Sequence, residues 1–197
     1  MPMTPRHGSP YTFEPGALCL ELLLAGGPDA YTAFESLHEP EDLARWSSLS
    51  RLDLDPGGVR VDEAGLTAAR LLRDALWRIV LAHLAGRALP PEDVAEVNRA
   101  AARAPLTPVM DAARQCDWML PADATAVLST VARDAIGLFA GPLAERVREC
   151  GSPDCRLVFV DTSRPGRRRW CSMERCGNRA KVRSLRARRE AEEQGAC

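Results

Sequence analysis

The sequence has few of the features that mark membrane, secreted or catalytic proteins. No apolar run approaches the roughly 20 residues that a membrane-spanning helix needs, and the N-terminus lacks the apolar segment of a secretion signal. Histidine occurs only at His7, His38 and His83. The motifs of zinc proteases, of serine hydrolases and of phosphate-binding glycine loops are missing. These absences predict a cytoplasmic protein that has no membrane partner and is not an enzyme.

Charge is distributed unevenly along a chain whose net charge is only -1. Residues 1–149 carry 14 basic and 21 acidic residues, whereas residues 150–189 carry 12 basic and 3 acidic residues. The remaining residues, 190–197, are acidic. Such opposition between segments indicates two units with different partners, and the basic unit favours a polyanion such as nucleic acid.

Four cysteines lie within the basic segment, in the order Cys150-x4-Cys155, fifteen residues, and Cys171-x4-Cys176. Thiolates are good zinc ligands, and four of them complete a tetrahedral shell. A catalytic zinc keeps an open position, so we predict one structural zinc held by these four residues and no catalytic residues. The alternative is a set of buried thiols or disulfides, but disulfides need an oxidising compartment.

The other cysteines and one histidine have simpler interpretations. Cys19 and Cys116 are expected to be buried small apolar residues, and Cys197 is expected to lie on an exposed tail. His83 falls on or beside the apolar face of a predicted helix, where a hydrogen-bonded packing role is more common than metal ligation.

The first 149 residues predict mainly helices. Helical periodicity, capping residues and proline positions indicate helices at residues 39–49, 62–85, 91–103 and 122–140. Residues 17–25 are apolar and fit either a strand or a buried helix. Residues 1–15 are expected to be loosely ordered, and residues 108–120 to form a short hairpin.

The cysteine-rich segment predicts a compact unit of hairpin and helix. Residues 156–160 are β-formers, residues 161–166 form a turn, and residues 167–170 return to Cys171. A helix is expected over residues 176–189, with Val182 and Leu185 packed on the hairpin. Arg179, Arg183 and Arg186 fall at positions i, i+4 and i+7 and would project from the opposite face.

The predicted fold class is therefore α+β and mostly α. A helical N-terminal domain with a few short strands is expected over residues 1–145. It is followed by a treble-clef-like four-cysteine zinc finger at 146–190 and an acidic tail at 191–197. The finger has too few apolar residues to fold on its core alone, whereas residues 1–145 are expected to fold without zinc.

The finger resembles a known family. Cys176-Gly177-Asn178-Arg179, followed by Lys181 and Arg183, is similar to the CGNR zinc finger. Members of that family carry an N-terminal ABATE domain, and weaker similarities in this chain are Gly16 to Glu21, Glu41 to Trp46, Leu72 to Leu76, and Asn98. The resemblance implies a bacterial transcription regulator whose zinc finger binds DNA and whose N-terminal domain is α+β. Gly177 and Asn178 are interpreted as supporting the zinc site through close approach and backbone hydrogen bonds.

We expect a DNA-binding regulator whose N-terminal domain senses a small-molecule effector or a partner, and which forms a homo-oligomer. Duplex DNA is favoured because Phe159 and Trp170, which could stack on single-stranded bases, are expected in the small core of the finger. The alternatives are an RNA- or ribosome-associated protein and a module that binds an acidic protein. The predicted nucleic-acid contacts are Arg167, Arg168, Arg169, Arg175, Arg179, Lys181, Arg183 and Arg186.

Overall fold

The computed structural model describes residues 1–3 and 11–194. Its helices are α1 (Leu18–Leu22), α2 (Pro40–Leu49), α3 (Glu63–Leu84), α4 (Pro91–Ala101), α5 (Ala124–Phe139) and α6 (Asn178–Gln194). Its strands are β1 (Pro2–Met3), β2 (Tyr11–Thr12), β3 (Val59–Arg60), β4 (Pro108–Met110), β5 (Cys116–Trp118), β6 (Ala122–Asp123), β7 (Val147–Glu149) and β8 (Val158–Val160). The α+β, mostly helical fold class is confirmed.

The strands of the described residues form four separate pairs. Pairs β1–β2, β4–β5 and β7–β8 are antiparallel, and β3–β6 is parallel. The hairpin predicted within residues 108–120 is confirmed as β4–β5. Each strand is only two or three residues long, so the helices provide most of the core.

Helix α3 is the centre of that core. It begins at Asp62, whose carboxylate accepts a hydrogen bond from the backbone N–H of Gly65 at 2.7 Å. It is followed by Gly86, whose φ of +63° is a left-handed conformation that glycine adopts without strain. One face is buried against α4 and α5, through Leu66, Ala69, Leu72, Leu76 and Val80. The helices predicted at 39–49, 62–85, 91–103 and 122–140 are all confirmed, within two residues at each end.

The ambiguous apolar run at 17–25 is helical. Its residues form α1 and a following 3-10 turn, and Cys19 is fully buried as expected. Glu21 is also buried. Its carboxylate accepts hydrogen bonds from the backbone N–H and the side chain of Arg51 at 2.8 and 2.9 Å, which offset the cost of burying the charge. Burial around the whole turn explains why sequence periodicity could not distinguish a helix from a strand.

The N-terminal segment is more ordered than expected where it is described. β1 pairs with β2, and Met1 and Phe13 exchange backbone hydrogen bonds of 3.1 and 2.9 Å. Phe13 is only 1% exposed, so this segment is anchored by an aromatic side chain. Residues 4–10, and the predicted exposed Cys197, lie outside the described residues.

Two expectations for other elements are wrong. Cys116 is exposed rather than buried, because β4–β5 projects from the core and only Trp118 turns back, donating its indole N–H to Leu52 O at 3.0 Å. The second concerns β8, which pairs with β7 and not with residues 167–170. Val147, Val158 and Val160 of this hairpin are buried in the main core. Local sequence does not indicate this packing, because the core residues that the valines contact are distant in the chain.

The last helix extends beyond the expected residue 189, to Gln194. Residues 190–194 contain only glutamate, alanine and glutamine, which favour helix, and Gly195 is the next residue that does not. Within the described part of the chain, no helix has both the length and the apolar character required to cross a membrane.

Candidate zinc centre and basic surface

The four cysteines converge on one point. Cys150 follows β7, Cys155 lies in the loop before β8, and Cys176 lies in a π-helical turn at Met173–Gly177. Among the described residues, these three and Cys171 are the one group of His, Cys, Asp and Glu side chains placed to hold a metal ion. Their ligand atoms all lie within 4.8 Å of one another.

The sulfur geometry fits a tetrahedral zinc. The Sγ atoms of Cys155 and Cys171 are 3.7 Å apart, and those of Cys171 and Cys176 are 3.5 Å apart. Four ligands at a Zn–S distance of about 2.3 Å would place the sulfurs about 3.8 Å apart. These distances exclude a disulfide, whose sulfurs are bonded at about 2.05 Å. The predicted cofactor, one structural zinc ion, is supported by this geometry.

The pKa shifts of the thiols indicate that a cation would stabilise the site. Burial raises the pKa of Cys150. The hydrogen bond between Cys155 and Cys171 lowers the pKa of Cys155 to about 5 and raises the pKa of Cys171. Four adjacent thiols cannot all ionise without positive charge nearby, and zinc supplies that charge when it binds.

A small apolar core surrounds the cysteines. Phe159 is fully buried, and Trp170 packs beside it, as predicted. Phe13 is a third member that the sequence did not indicate, because it lies more than 130 residues before the site. The finger therefore uses an aromatic side chain from the N-terminal segment to complete its own core.

Gly177 and Asn178 have structural contacts. A Cβ on Gly177 would meet Trp170 Cδ1 at 3.3 Å and the end of the exposed Met173 side chain, which can move aside, at 2.7 Å. The side-chain amide of Asn178 donates to Glu174 O at 3.3 Å, within the second cysteine loop. The Asn178 contact agrees with the expected supporting role, and the role of Gly177 stays a prediction.

Two family models match the chain. The model of the CGNR zinc finger matches residues 146–189. The ABATE model, described as "Putative stress-induced transcription regulator", matches residues 16–142, well over half of the chain. The chain belongs to the ABATE family. Its C-terminal segment is a CGNR zinc finger, and a search of curated proteins found no match.

Arg168 and Arg175, two predicted nucleic-acid contacts, form contacts within the chain. Arg168 donates from Nε to Trp170 O at 3.0 Å, and its guanidinium lies 4.1 Å from the ring centre of Phe159. Arg175 lies at the same distance over the ring of Tyr11. These cation–π contacts hold both guanidinium groups against the finger.

The arginines of α6 do not all project as expected. Arg179 donates to the Sγ of Cys176 at 3.1 Å, and this hydrogen bond raises the pKa of the arginine. Arg183 donates to Ser152 Oγ at 3.2 Å and approaches the carboxylate of Asp154 at 3.4 Å. Arg183, on the helix face that was expected to bind nucleic acid, therefore contacts the first cysteine loop.

The expected anchor of α6 is correspondingly wrong. Val182 and Leu185 are each 46% exposed, instead of packing on the hairpin. The contact between α6 and the first cysteine loop is polar, from Arg183 to Ser152 and Asp154, and helical periodicity alone could not rank it above apolar packing. Arg179 and Arg183 remain exposed despite their contacts with the finger, and so does Arg169, whose guanidinium lies 5.1 Å from the ring centre of Trp170. The other exposed predicted contacts are Arg167, Lys181 and Arg186, and Arg188, which was not among the predicted contacts, is exposed as well.

The sequence analysis missed other residues that shape the site. Asp161 is 1% exposed, and its carboxylate accepts from the backbone N–H groups of Ser163 and Arg168 at 2.9 and 2.8 Å. Arg146 donates to the backbone O atoms of Asp161 and Ser163 at 3.0 and 2.9 Å. Asp161 starts the predicted turn at 161–166, and an aspartate in that position often binds the backbone N–H two residues on, a signal that could have indicated its role; Arg146 gave no such signal.

The ABATE region contains a histidine that packs in the fold and a cleft that could hold a ligand. His83 has a packing role as expected, because its Nε2 lies 2.9 Å from Ala144 O and its ring contacts Phe139 edge-on. A cleft of about 860 Å³ lies beside α3, α4 and the start of α5. Positively and negatively charged side chains both line the cleft: Arg60, Arg99, Arg103, Asp62, Asp123 and Glu96.

Proposed function

We propose that this chain is a DNA-binding transcription regulator whose CGNR finger contacts DNA. The observation that carries the proposal is α6, which starts at the zinc-binding turn and exposes every residue from 181 to 188. Four of those eight residues are basic, in a segment, 150–189, with 12 basic and 3 acidic residues. Like charges at this density favour a polyanionic partner. The family description is also that of a transcription regulator and not of an enzyme.

Duplex DNA is the partner that this surface favours. Proteins that bind single-stranded nucleic acids use exposed aromatic rings on which the bases stack. In the finger, Phe159 is buried and Trp170 belongs to the zinc-site core. A projecting helix, in contrast, suits the major groove of B-DNA, which is about 12 Å wide.

The proposal assigns sensing of a ligand or partner to the N-terminal region. The cleft beside α3, α4 and α5 supports this assignment because it offers about 860 Å³ lined by both apolar and charged side chains. The division into residues 1–145, 146–190 and 191–197 is kept as part of the proposal. A homo-oligomer is also proposed, since one finger offers a small interface for a specific operator.

Fluorescence anisotropy over a salt series tests nucleic-acid binding. The full zinc-loaded chain is titrated into labelled duplex DNA, duplex RNA and single strands. Affinity for duplex DNA should fall steeply with salt, because phosphate contacts release counterions. Arg186→Ala should lower the magnitude of the logarithmic salt slope by about 1.

Arg87→Ala is the matched control. It removes the same charge from an exposed position in the N-terminal region, so its salt slope should equal that of the parent. If the parent has no salt-dependent affinity for any of these nucleic acids, the proposed function is wrong. Stronger binding to RNA than to DNA would support the RNA-associated alternative.

A further inference from the structure

The first half of α6 carries apolar side chains that the finger leaves uncovered. Val182 and Leu185 are each 46% exposed, and they lie three positions apart, on one face of the helix. We call these two residues the exposed apolar pair. Water contact at both side chains is unfavourable, so the pair favours a partner that covers it.

Basic residues flank the exposed apolar pair on both sides. With about 100° of rotation per residue, Lys181 and Arg188 lie together on the Leu185 side, and Arg186 lies on the Val182 side. All three are exposed. Arg179 and Arg183 are instead turned to the finger by their contacts with Cys176 and Ser152. The free surface of α6 is therefore an apolar strip between two basic edges.

This arrangement complements the DNA major groove. The edges of the groove are lined by phosphates, and its floor exposes the C5-methyl group of each thymine, the one apolar group among the base edges. A helix with its side chains is about 10–12 Å across, close to the groove width of about 12 Å, so α6 can lie along the groove with one basic edge facing each phosphate backbone. The exposed side chains that carry this pattern lie in residues 181–188, the N-terminal half of α6.

We propose that Val182 and Leu185 contact thymine methyl groups in the major groove, while Lys181, Arg186 and Arg188 bind the phosphates on either side. The inference rests on the DNA-binding function proposed above and adds the base edge that the finger recognises. Phosphate contacts would position the helix, and the exposed apolar pair would give a preference for A·T steps.

Replacement of thymine by deoxyuridine tests the inference, because it removes only the C5-methyl group. The full zinc-loaded chain is titrated by anisotropy into an A·T-rich 20-base-pair duplex and into the same duplex with deoxyuridine at every thymine. Covering one methyl group corresponds to about a fourfold gain in affinity. The parent should therefore bind the thymine duplex about four- to sixteenfold more tightly.

The double variant Val182→Ala and Leu185→Ala is the matched comparison. Alanine favours helix, so α6 and zinc content should be retained, and circular dichroism and metal analysis check both. The variant should bind both duplexes equally, with the salt slope of the parent. Arg87→Ala should keep the parent's preference.

The outcomes separate the two proposals. Equal affinity of the parent for both duplexes, with a normal salt slope, overturns the methyl contact and leaves DNA binding intact. Absence of any DNA binding overturns the proposed function itself. A dimer in sedimentation that dissociates in the double variant, with no thymine preference, shows that a second copy of the chain covers the pair and also overturns the inference.

Discussion

Arg179 and Arg186 are about two turns apart on the same helix, but their guanidinium groups have different surroundings. Both side chains are exposed, but Arg179 donates to a cysteine sulfur of the metal site at 3.1 Å. A positive donor beside a thiolate reduces the charge that the zinc must balance and orients the ligand. At the scale of single residues, identical side chains thus divide into those that build the zinc site and those available to a partner.

Arg179→Ala should weaken zinc binding by about 10- to 100-fold, the usual effect of losing a partner of a metal ligand. Competition with a chromophoric chelator measures the affinity. Arg186→Ala is the control with the same charge change and should bind zinc like the parent. Cys171→Ser should lose the metal and unfold the finger. Equal zinc affinity of Arg179→Ala and the parent would contradict a role at Cys176.

At the scale of elements, the segment from β8 to Cys171 is ordered by Asp161. Its carboxylate accepts two backbone N–H groups, and its own N–H donates to Arg146 O at 2.8 Å. Burial alone would raise the pKa of Asp161, but the hydrogen bonds from Ser163 and Arg168 outweigh it and lower the pKa. This turn brings Cys171 back to the first cysteine pair.

Asp161→Asn should destabilise the finger by about 1–3 kcal/mol, because an amide NH₂ then faces a buried N–H donor. Urea unfolding followed by zinc release measures the change. Since the pKa of the native carboxyl is lowered, its stabilising effect is fully present above the ordinary value of about 3.9 and is lost as pH falls through the folded-state pKa. The parent should therefore lose this increment in acid, and the variant should have none to lose.

Asp154→Asn provides the control for that experiment. Its side chain is 70% exposed and forms a long ion pair with Arg183, so the variant should be close to the parent in stability. A similar loss in both variants would mean that charge, and not the buried turn, determines the result.

At the scale of the whole molecule, the two regions share their cores. Val147, Val158 and Val160 of the finger hairpin lie in the core of the ABATE region. In return, Phe13 lies in the core around the cysteines, and Val160 N–H donates to Pro15 O at 2.7 Å. The proposed boundary at residue 145 therefore separates side chains that are buried together.

A fragment of residues 1–161 should unfold cooperatively, with a Tm that chelators do not change. A fragment of residues 1–145 should be less stable, since each lost buried valine contributes about 1.5–3 kcal/mol. Thermal unfolding in reducing buffer compares the two. Equal Tm values would show that the hairpin belongs energetically to the finger, and a non-cooperative 1–161 fragment would make the zinc essential to the whole fold.

The sequence by itself indicated the four cysteines that converge at the predicted zinc site, the helical class and the finger family. Short cysteine gaps, capping residues and helical periodicity are local, so Cys150, Asp62 and Gly86 could be interpreted without coordinates. Most helix bounds were also predictable, to within two residues.

Only the tertiary structure decided which surfaces meet. The β7–β8 pairing, the burial of Phe13 beside the cysteines and the exposure of Cys116 depend on contacts between residues far apart in the chain. The orientation of α6 also depends on distant contacts. By spacing alone, Val182 and Leu185 were expected to pack on the hairpin. The helix instead meets the first cysteine loop through the hydrogen bond from Arg183 to Ser152, and competition between polar contacts and apolar packing is settled only when the whole finger is folded.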